Sequence, residues 1–149
     1  MTNIYIVTVI LFCLLSSCRI KKYPRENELL EYIEKELKID IKHEGENYLT
    51  FLLQAHICSA CLENHINLIS ELNKKYNCII ILTTKRTEVV NWVKNKNMLN
   101  ILYIGDLDIV SSYGLTNYKS EFIHILNSEI INWDVLEENK LEQIKQVYL

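Results

Sequence analysis

Glycine and proline are scarce in this sequence, which has three glycines and a single proline, Pro24, in 149 residues. Both residues mark turns and irregular loops. We therefore expect mostly regular secondary structure with short connections. The sequence also contains no internal repeat and no low-complexity segment, so a repeat architecture is not predicted.

An excess of positive charge is missing as well. Sixteen basic and nineteen acidic residues give a net charge of −3, so nothing favours nucleic acid as a partner. Hydrophobic residues make up 49% of the chain and charged residues 23%, as in an ordinary globular protein. At this length, one domain with a core of its own is expected.

A hydrophobic run long enough to span a bilayer is also absent. The apolar segment over residues 4–15 has twelve residues, which is too short for a transmembrane helix but suits the core of a signal peptide. It ends in Leu-Ser-Ser-Cys at residues 15–18, which resembles the lipobox of bacterial lipoproteins. The resemblance implies cleavage before Cys18, a signal peptide over residues 1–17, and a lipid on Cys18. We then expect a membrane-anchored lipoprotein of the cell envelope, facing the periplasm or the exterior.

The charges around this segment leave alternatives open. Residues 1–3 contain no Lys or Arg, whereas Arg19, Lys21, Lys22 and Arg25 follow the apolar run. By the positive-inside rule this arrangement is also compatible with a short uncleaved anchor that keeps the rest of the chain in the cytoplasm. A start codon assigned too late would also explain it.

Residues 18–47 are interpreted as a tether and an N-terminal helix that precede the main domain. Residues 19–25 form a short basic stretch, and residues 26–37 have the apolar spacing of an amphipathic helix. Residues 40–47 are polar and include Gly45, as in a loop. The domain itself is expected to cover residues 48–149.

The strongest motif is Cys58-Ser59-Ala60-Cys61, between an apolar run over residues 48–53 and a helical pattern over residues 60–76. A Cys-x-x-Cys between a strand and a helix is typical of a dithiol redox site. The helix N-terminus stabilises a thiolate and lowers the pKa of the first cysteine. The second cysteine lies one turn further on, close enough for a disulfide. Cys58 is therefore the predicted nucleophile and Cys61 the resolving thiol.

The remaining elements follow in a regular order. A continuous apolar run at residues 78–82 predicts a buried strand, parallel to the strand at 48–53 across the intervening helix. Further elements are predicted as a helix at 87–96, a strand at 101–104, a helical turn at 109–113, a hairpin at 121–126 and 130–133, and a closing helix that carries Leu136, Leu141, Ile144 and Tyr148.

This order resembles the thioredoxin fold, an α/β fold with a central mixed sheet flanked by helices, over residues 48–149. Together with the lipobox, the chain looks most like the membrane-tethered, TlpA-like thiol–disulfide proteins of bacteria. Cys58 and Cys61 match the family's redox pair, and residues 113–115, Tyr-Gly-Leu, match the step before its hairpin. The resemblance implies a thiol–disulfide oxidoreductase that exchanges electrons with protein thiols or disulfides and needs no cofactor.

Three departures from the family pattern concern the site. Ile57 replaces the tryptophan that usually precedes the first cysteine, and Ile66 replaces a helix-kinking proline. The family's cis-proline, which faces the dithiol, is missing from residues 116–121, where Ser120 is the better of two aligned positions. Because a cis peptide is costly without proline, we expect a different loop geometry and a more open dithiol.

Two other functions remain open. The same fold could bind a metal such as Cu(I) through Cys58, Cys61 and a histidine, since soft thiolates suit this ion. His65, four residues after Cys61, is either that ligand, a proton donor to Cys61, or a core histidine. A non-catalytic binding module is the third possibility. Cys78, in an apolar strand, is predicted to be a core residue.

Overall fold

The computed structural model describes residues 22–42, 45–54, 59–83, 91, 102–103, 107–116 and 119–149. The predicted helix over 87–96 lies outside these ranges except for Asn91. In chain order the described elements are α1 (Glu26–Lys35), β1 (Asn47–Gln54), α2 (Ser59–Leu72), β2 (Asn77–Thr83), β3 (Leu102–Tyr103), α3 (Leu107–Ser112), β4 (Glu121–Leu126), β5 (Glu129–Val135) and α4 (Glu138–Tyr148).

The five strands form one mixed sheet in the order β3-β2-β1-β4-β5. Strand β1 pairs in parallel with β2 and antiparallel with β4, β2 pairs in parallel with β3, and β4 pairs antiparallel with β5. The predicted parallel pairing of the first two strands and the predicted mixed sheet are therefore confirmed. Strand β1 is central and buried from Leu49 to Gln54, which explains why its sequence is apolar at nearly every position.

Helices cover both faces of this sheet. Alternate side chains of β1 point to opposite faces: Phe51 belongs to the layer shared with α2 and α4, and Leu52 to the layer shared with α1 and α3. The first layer also includes Leu62, Ile66, Ile69, Leu141 and Ile144, and the second includes Leu29, Ile33, Ile79, Val110 and Ile123. Helix α1 thus packs in the same core as the strands, although the sequence placed it in the segment before the domain.

The predicted hairpin between β4 and β5 is confirmed. Its two turn residues, Asn127 and Ser128, have φ angles of 50° and 65°. Positive φ at both positions is characteristic of a type I′ turn, whose twist matches that of the flanking strands. None of the described helices is both long enough and apolar enough to span a membrane.

A polar network around the buried His124 lies at the amino-terminal end of β1. The Asn47 Oδ1 atom only accepts hydrogen bonds, so His124 donates to it from Nε2, over 2.8 Å. His124 Nδ1 then accepts from the Tyr148 hydroxyl over 3.0 Å, and Asn132 donates to that hydroxyl over 3.1 Å. This arrangement requires the neutral imidazole, and burial lowers the pKa of His124.

The network predicts a loss of stability in acid. Because the pKa of His124 lies below its ordinary 6.5 in the folded chain, the unfolded chain binds this proton more readily. The free energy of unfolding therefore falls as the pH drops below about 6.5, until the folded-state pKa is passed. The His124→Gln variant, which keeps one donor and one acceptor, is expected to lose less stability than the wild type between about pH 7 and about pH 5. Urea unfolding at the two pH values measures this difference, and equal losses would contradict the assignment.

Candidate functional site

The cysteine motif lies where the central strand leaves the core. Helix α2 begins at Ser59, five residues after the end of β1 at Gln54, and residues 55–58, including Cys58, lie outside the described residues. Cys61 is the third residue of α2. Strand β4 begins beside the same end of β1, because Glu121 pairs with Leu52. We call this end of the sheet, formed by residues 52–54 and 120–121, the carboxyl edge.

Cys61 is disulfide-bonded and only partly buried. The other described cysteine, Cys78, is a free thiol in β2, so the partner of Cys61 lies outside the described residues. Burial raises the pKa of Cys78 to about 12, and its register partner is Leu49, near the opposite end of β1. The prediction that Cys78 is a core residue is confirmed.

The first turn of α2 suits an anionic sulfur. It contains no acidic residue, so no carboxylate within it opposes the positive end of the helix dipole. Ser59 and Ala60 are exposed, whereas Leu62 is buried. The helix therefore packs into the core from Leu62 onward, and its first turn lies at the surface. A thiol in that turn is accessible to another protein.

His65 lies one helical turn after Cys61 and is only 2% exposed. Burial lowers its pKa, and the charge of Glu138 on α4 partly offsets this effect. His65 is therefore a core histidine by its position, one of the three alternatives for this residue, but its Nδ1 atom has no hydrogen-bond partner among the described residues. Within those residues, no group of three or more His, Cys, Asp and Glu side chains could hold a metal ion; Cys58, which the metal alternative requires, lies outside them.

Ser120 contacts the last residue of the central strand. Its side chain is buried, and its Oγ atom accepts a hydrogen bond from the Gln54 backbone N–H over 3.1 Å. Its carbonyl oxygen accepts from the Leu136 N–H over 2.8 Å. No cis peptide bond occurs among the described residues, so the bond between Lys119 and Ser120 is trans. The position aligned with the family's proline thus carries a hydroxyl that completes the hydrogen bonding of β1.

A buried ionic cluster lies next to Ser120. The side chain of Glu121 is 4% exposed, and its Oε2 atom accepts from Arg25 Nη2 over 2.6 Å and from the Tyr23 hydroxyl over 2.8 Å. Burial raises the pKa of Tyr23, and the carboxylate of Glu121 raises it further. The Tyr23 ring packs edge-on against Trp133, with 5.3 Å between the ring centroids.

This cluster includes two residues of the stretch over residues 19–25 that the sequence predicts as a basic tether; residues 19–21 lie outside the described residues. Tyr23 is only 1% exposed and Arg25 is ion-paired, so these two residues belong to the packed structure. The sequence contains one signal for this cluster. Glu121 opens an otherwise apolar strand pattern, and a buried carboxylate needs a partner.

The contact between Ser120 and Gln54 predicts the cost of changing this loop. Ser120→Ala leaves the buried Gln54 N–H without its acceptor, so the free energy of unfolding is expected to fall by about 1–3 kcal/mol. Ser120→Pro loses the same hydroxyl and is expected to show a similar loss. The control is Ser112→Ala, whose hydroxyl makes an exposed bond to the Ile109 carbonyl and whose removal is expected to cost little. Urea unfolding of the three variants measures these free energies. Equal losses of stability in Ser112→Ala and Ser120→Ala would contradict the prediction.

Comparison with known proteins identifies the fold. No family model and no curated protein matches the chain. Several solved structures are similar to the chain, among them the following two. A thioredoxin-like protein from Parabacteroides distasonis has a TM-score of 0.56 at 16% identity, over 75% of this chain and 87% of the other. A Chlorobium tepidum protein named as the thiol:disulfide interchange protein DsbE has a TM-score of 0.51 at 11% identity, over 68% of this chain and 77% of the other. The chain therefore has a thioredoxin-like fold, as its sequence predicts.

Proposed function

We propose that the chain is a thiol–disulfide oxidoreductase that uses Cys58 and Cys61 as its dithiol. The observation that supports this most directly is the placement of Cys61. It is a disulfide-bonded, partly exposed cysteine in the first turn of a 14-residue helix, beside the carboxyl edge of a buried central strand. The motif supplies Cys58 three residues earlier as its partner.

The exchange proceeds by two thiolate displacements. The Cys58 thiolate attacks one sulfur of a protein disulfide, forms a mixed disulfide and releases the first protein thiolate. Cys61 then attacks the Cys58 sulfur, forms the Cys58–Cys61 disulfide and releases the second protein thiolate. Two electrons pass from the dithiol to the protein, and the two thiol protons go to the released thiolates. The reverse sequence oxidises a protein dithiol, and the reduction potential sets the direction.

The two cysteines have distinct roles, which trapping experiments separate. Cys61→Ala is expected to accumulate a mixed disulfide through Cys58, because nothing resolves it. Cys58→Ala is expected to trap little, and both changes should abolish turnover in an insulin-reduction assay. Cys78→Ala is the control, since its buried thiol takes no part in exchange. Non-reducing electrophoresis and mass spectrometry measure the adducts, and equal trapping by Cys58→Ala and Cys61→Ala would contradict the roles.

We also propose that Cys18 carries a lipid and holds the domain at a membrane of the cell envelope. Support comes from the Leu-Ser-Ser-Cys pattern at residues 15–18. Tyr23 is fixed in the fold only five residues after Cys18. An extended chain of five residues spans about 17 Å, so the lipid would keep the domain close to the membrane surface. Acyl chains contribute about 0.8 kcal/mol per buried CH₂ group, enough for firm attachment when several are present.

Replacement of Cys18 tests the anchor. Cys18→Ser is expected to move the protein out of the membrane fraction or to leave an unprocessed precursor, and the mass of the mature chain should lose its acyl groups. Cys13→Ser is the control, because Cys13 lies inside the apolar segment that cleavage removes. Unchanged mass and fractionation in Cys18→Ser would favour the uncleaved anchor instead.

A further inference from the structure

The side chain of Arg25 binds the residues on both sides of the loop over residues 115–120. It connects Gly114, which follows α3, to Glu121, the first residue of β4. Arg25 donates from Nη1 to the Gly114 carbonyl oxygen over 3.2 Å and from Nη2 to Glu121 Oε2 over 2.6 Å. A planar guanidinium can make both contacts at once because its donors have a fixed fork geometry.

The same loop adjoins the carboxyl edge. Ser120, its last residue, accepts a hydrogen bond from Gln54, and Gln54 precedes Cys58 by four residues. A chain of four residues spans at most about 14 Å. Ser120 and Glu121 are therefore on the side of the molecule where a second protein must approach the first turn of α2.

The loop lacks the internal restraint that proline gives. None of the residues 115–120 is proline, and the bond between Lys119 and Ser120 is trans. Glu121 is buried, and its carboxylate is oriented by the Tyr23 hydroxyl as well as by Arg25. Arg25 therefore binds a side chain whose position in the sheet is fixed.

We propose that Arg25 is a positioning residue of the redox site, which fixes Gly114 and Glu121, the residues on either side of the 115–120 loop, beside the edge of the sheet where a disulfide-bearing protein docks. The inference rests on the proposed thiol–disulfide exchange. Arg25 acts only through the loop and does not take part in the exchange itself. Its removal should therefore affect a protein substrate more than a small disulfide, and should leave the equilibrium between dithiol and disulfide unchanged.

The test uses Arg25→Lys in the full chain. Lysine keeps the positive charge for Glu121 but has no fork that reaches Gly114 as well. The KM for insulin disulfides is expected to rise about tenfold with little change in kcat, because docking and not chemistry is disturbed. The reaction rate with a small aromatic disulfide and the reduction potential are expected to stay at wild-type values. Hydrogen exchange at the backbone amides of Leu115, Thr116, Lys119 and Ser120 should become faster.

The control is Lys35→Gln, which breaks an exposed ion pair with Glu31 within α1 and should change none of these quantities. If Arg25→Lys does not fold, Arg25→Gln takes its place, since glutamine also lacks the fork and is expected to give the same changes. An inactive wild type would refute the proposed function and this inference with it. An active wild type whose Arg25→Lys form matches Lys35→Gln in KM and in loop exchange would overturn the inference alone. A parallel loss of activity with both kinds of disulfide would also overturn it.

Discussion

The burial of β1 on both faces is the constraint on which the rest of the structure depends. Every residue from Leu49 to Gln54 is shielded by helices above and below and by strands on either side. The chain can leave this strand only at its end, and the parallel pairing with β2 requires a helix to return along the sheet. The start of that helix is therefore fixed at the carboxyl edge, which is where the sequence places the cysteine motif.

Polar contacts complete this edge where the family pattern has a proline. Ser120 satisfies the last backbone N–H of β1, and Arg25 joins Gly114 to Glu121 across the loop. Proline restrains a loop through its own ring, whereas a serine hydroxyl and an arginine fork restrain it through distant partners. Arg25 follows Cys18 by only seven residues in the sequence, so the segment after the proposed lipid also contacts this edge of the sheet.

The regular elements were predictable because their signals are local. The apolar runs of β1 and β2 and the hairpin follow from spacing alone. The structure extends each of the first two strands by a residue or two and starts β5 at Glu129, so the turn has two residues and not the predicted three. The predicted end of α2 is less accurate. The apolar spacing continues to Tyr76, but the helix ends at Leu72. Residues 73–76 instead make turn hydrogen bonds, such as that from Lys75 to the Leu72 carbonyl.

The ionic cluster could not be predicted in the same way. Arg25 and Glu121 are 96 residues apart, and the sequence around either residue does not indicate which residue it will pair with. Ser120 was singled out only as a missing proline, because a hydroxyl gives no sign in the sequence of which backbone group it will bind. Contacts between distant parts of the chain are set by the packed fold, so they emerge only once α1 is seen against the sheet.

The central claim is that Cys58 and Cys61 form an exchangeable dithiol. Its most direct test equilibrates the full chain in glutathione buffers of graded potential and reads each cysteine by differential alkylation and peptide mass spectrometry. We expect Cys58 and Cys61 to change together, at one potential between about −270 and −120 mV, the range of dithiol oxidoreductases, while Cys78 stays reduced throughout. A pair that remains oxidised below about −300 mV, as structural disulfides do, or two cysteines that change independently, would contradict the account.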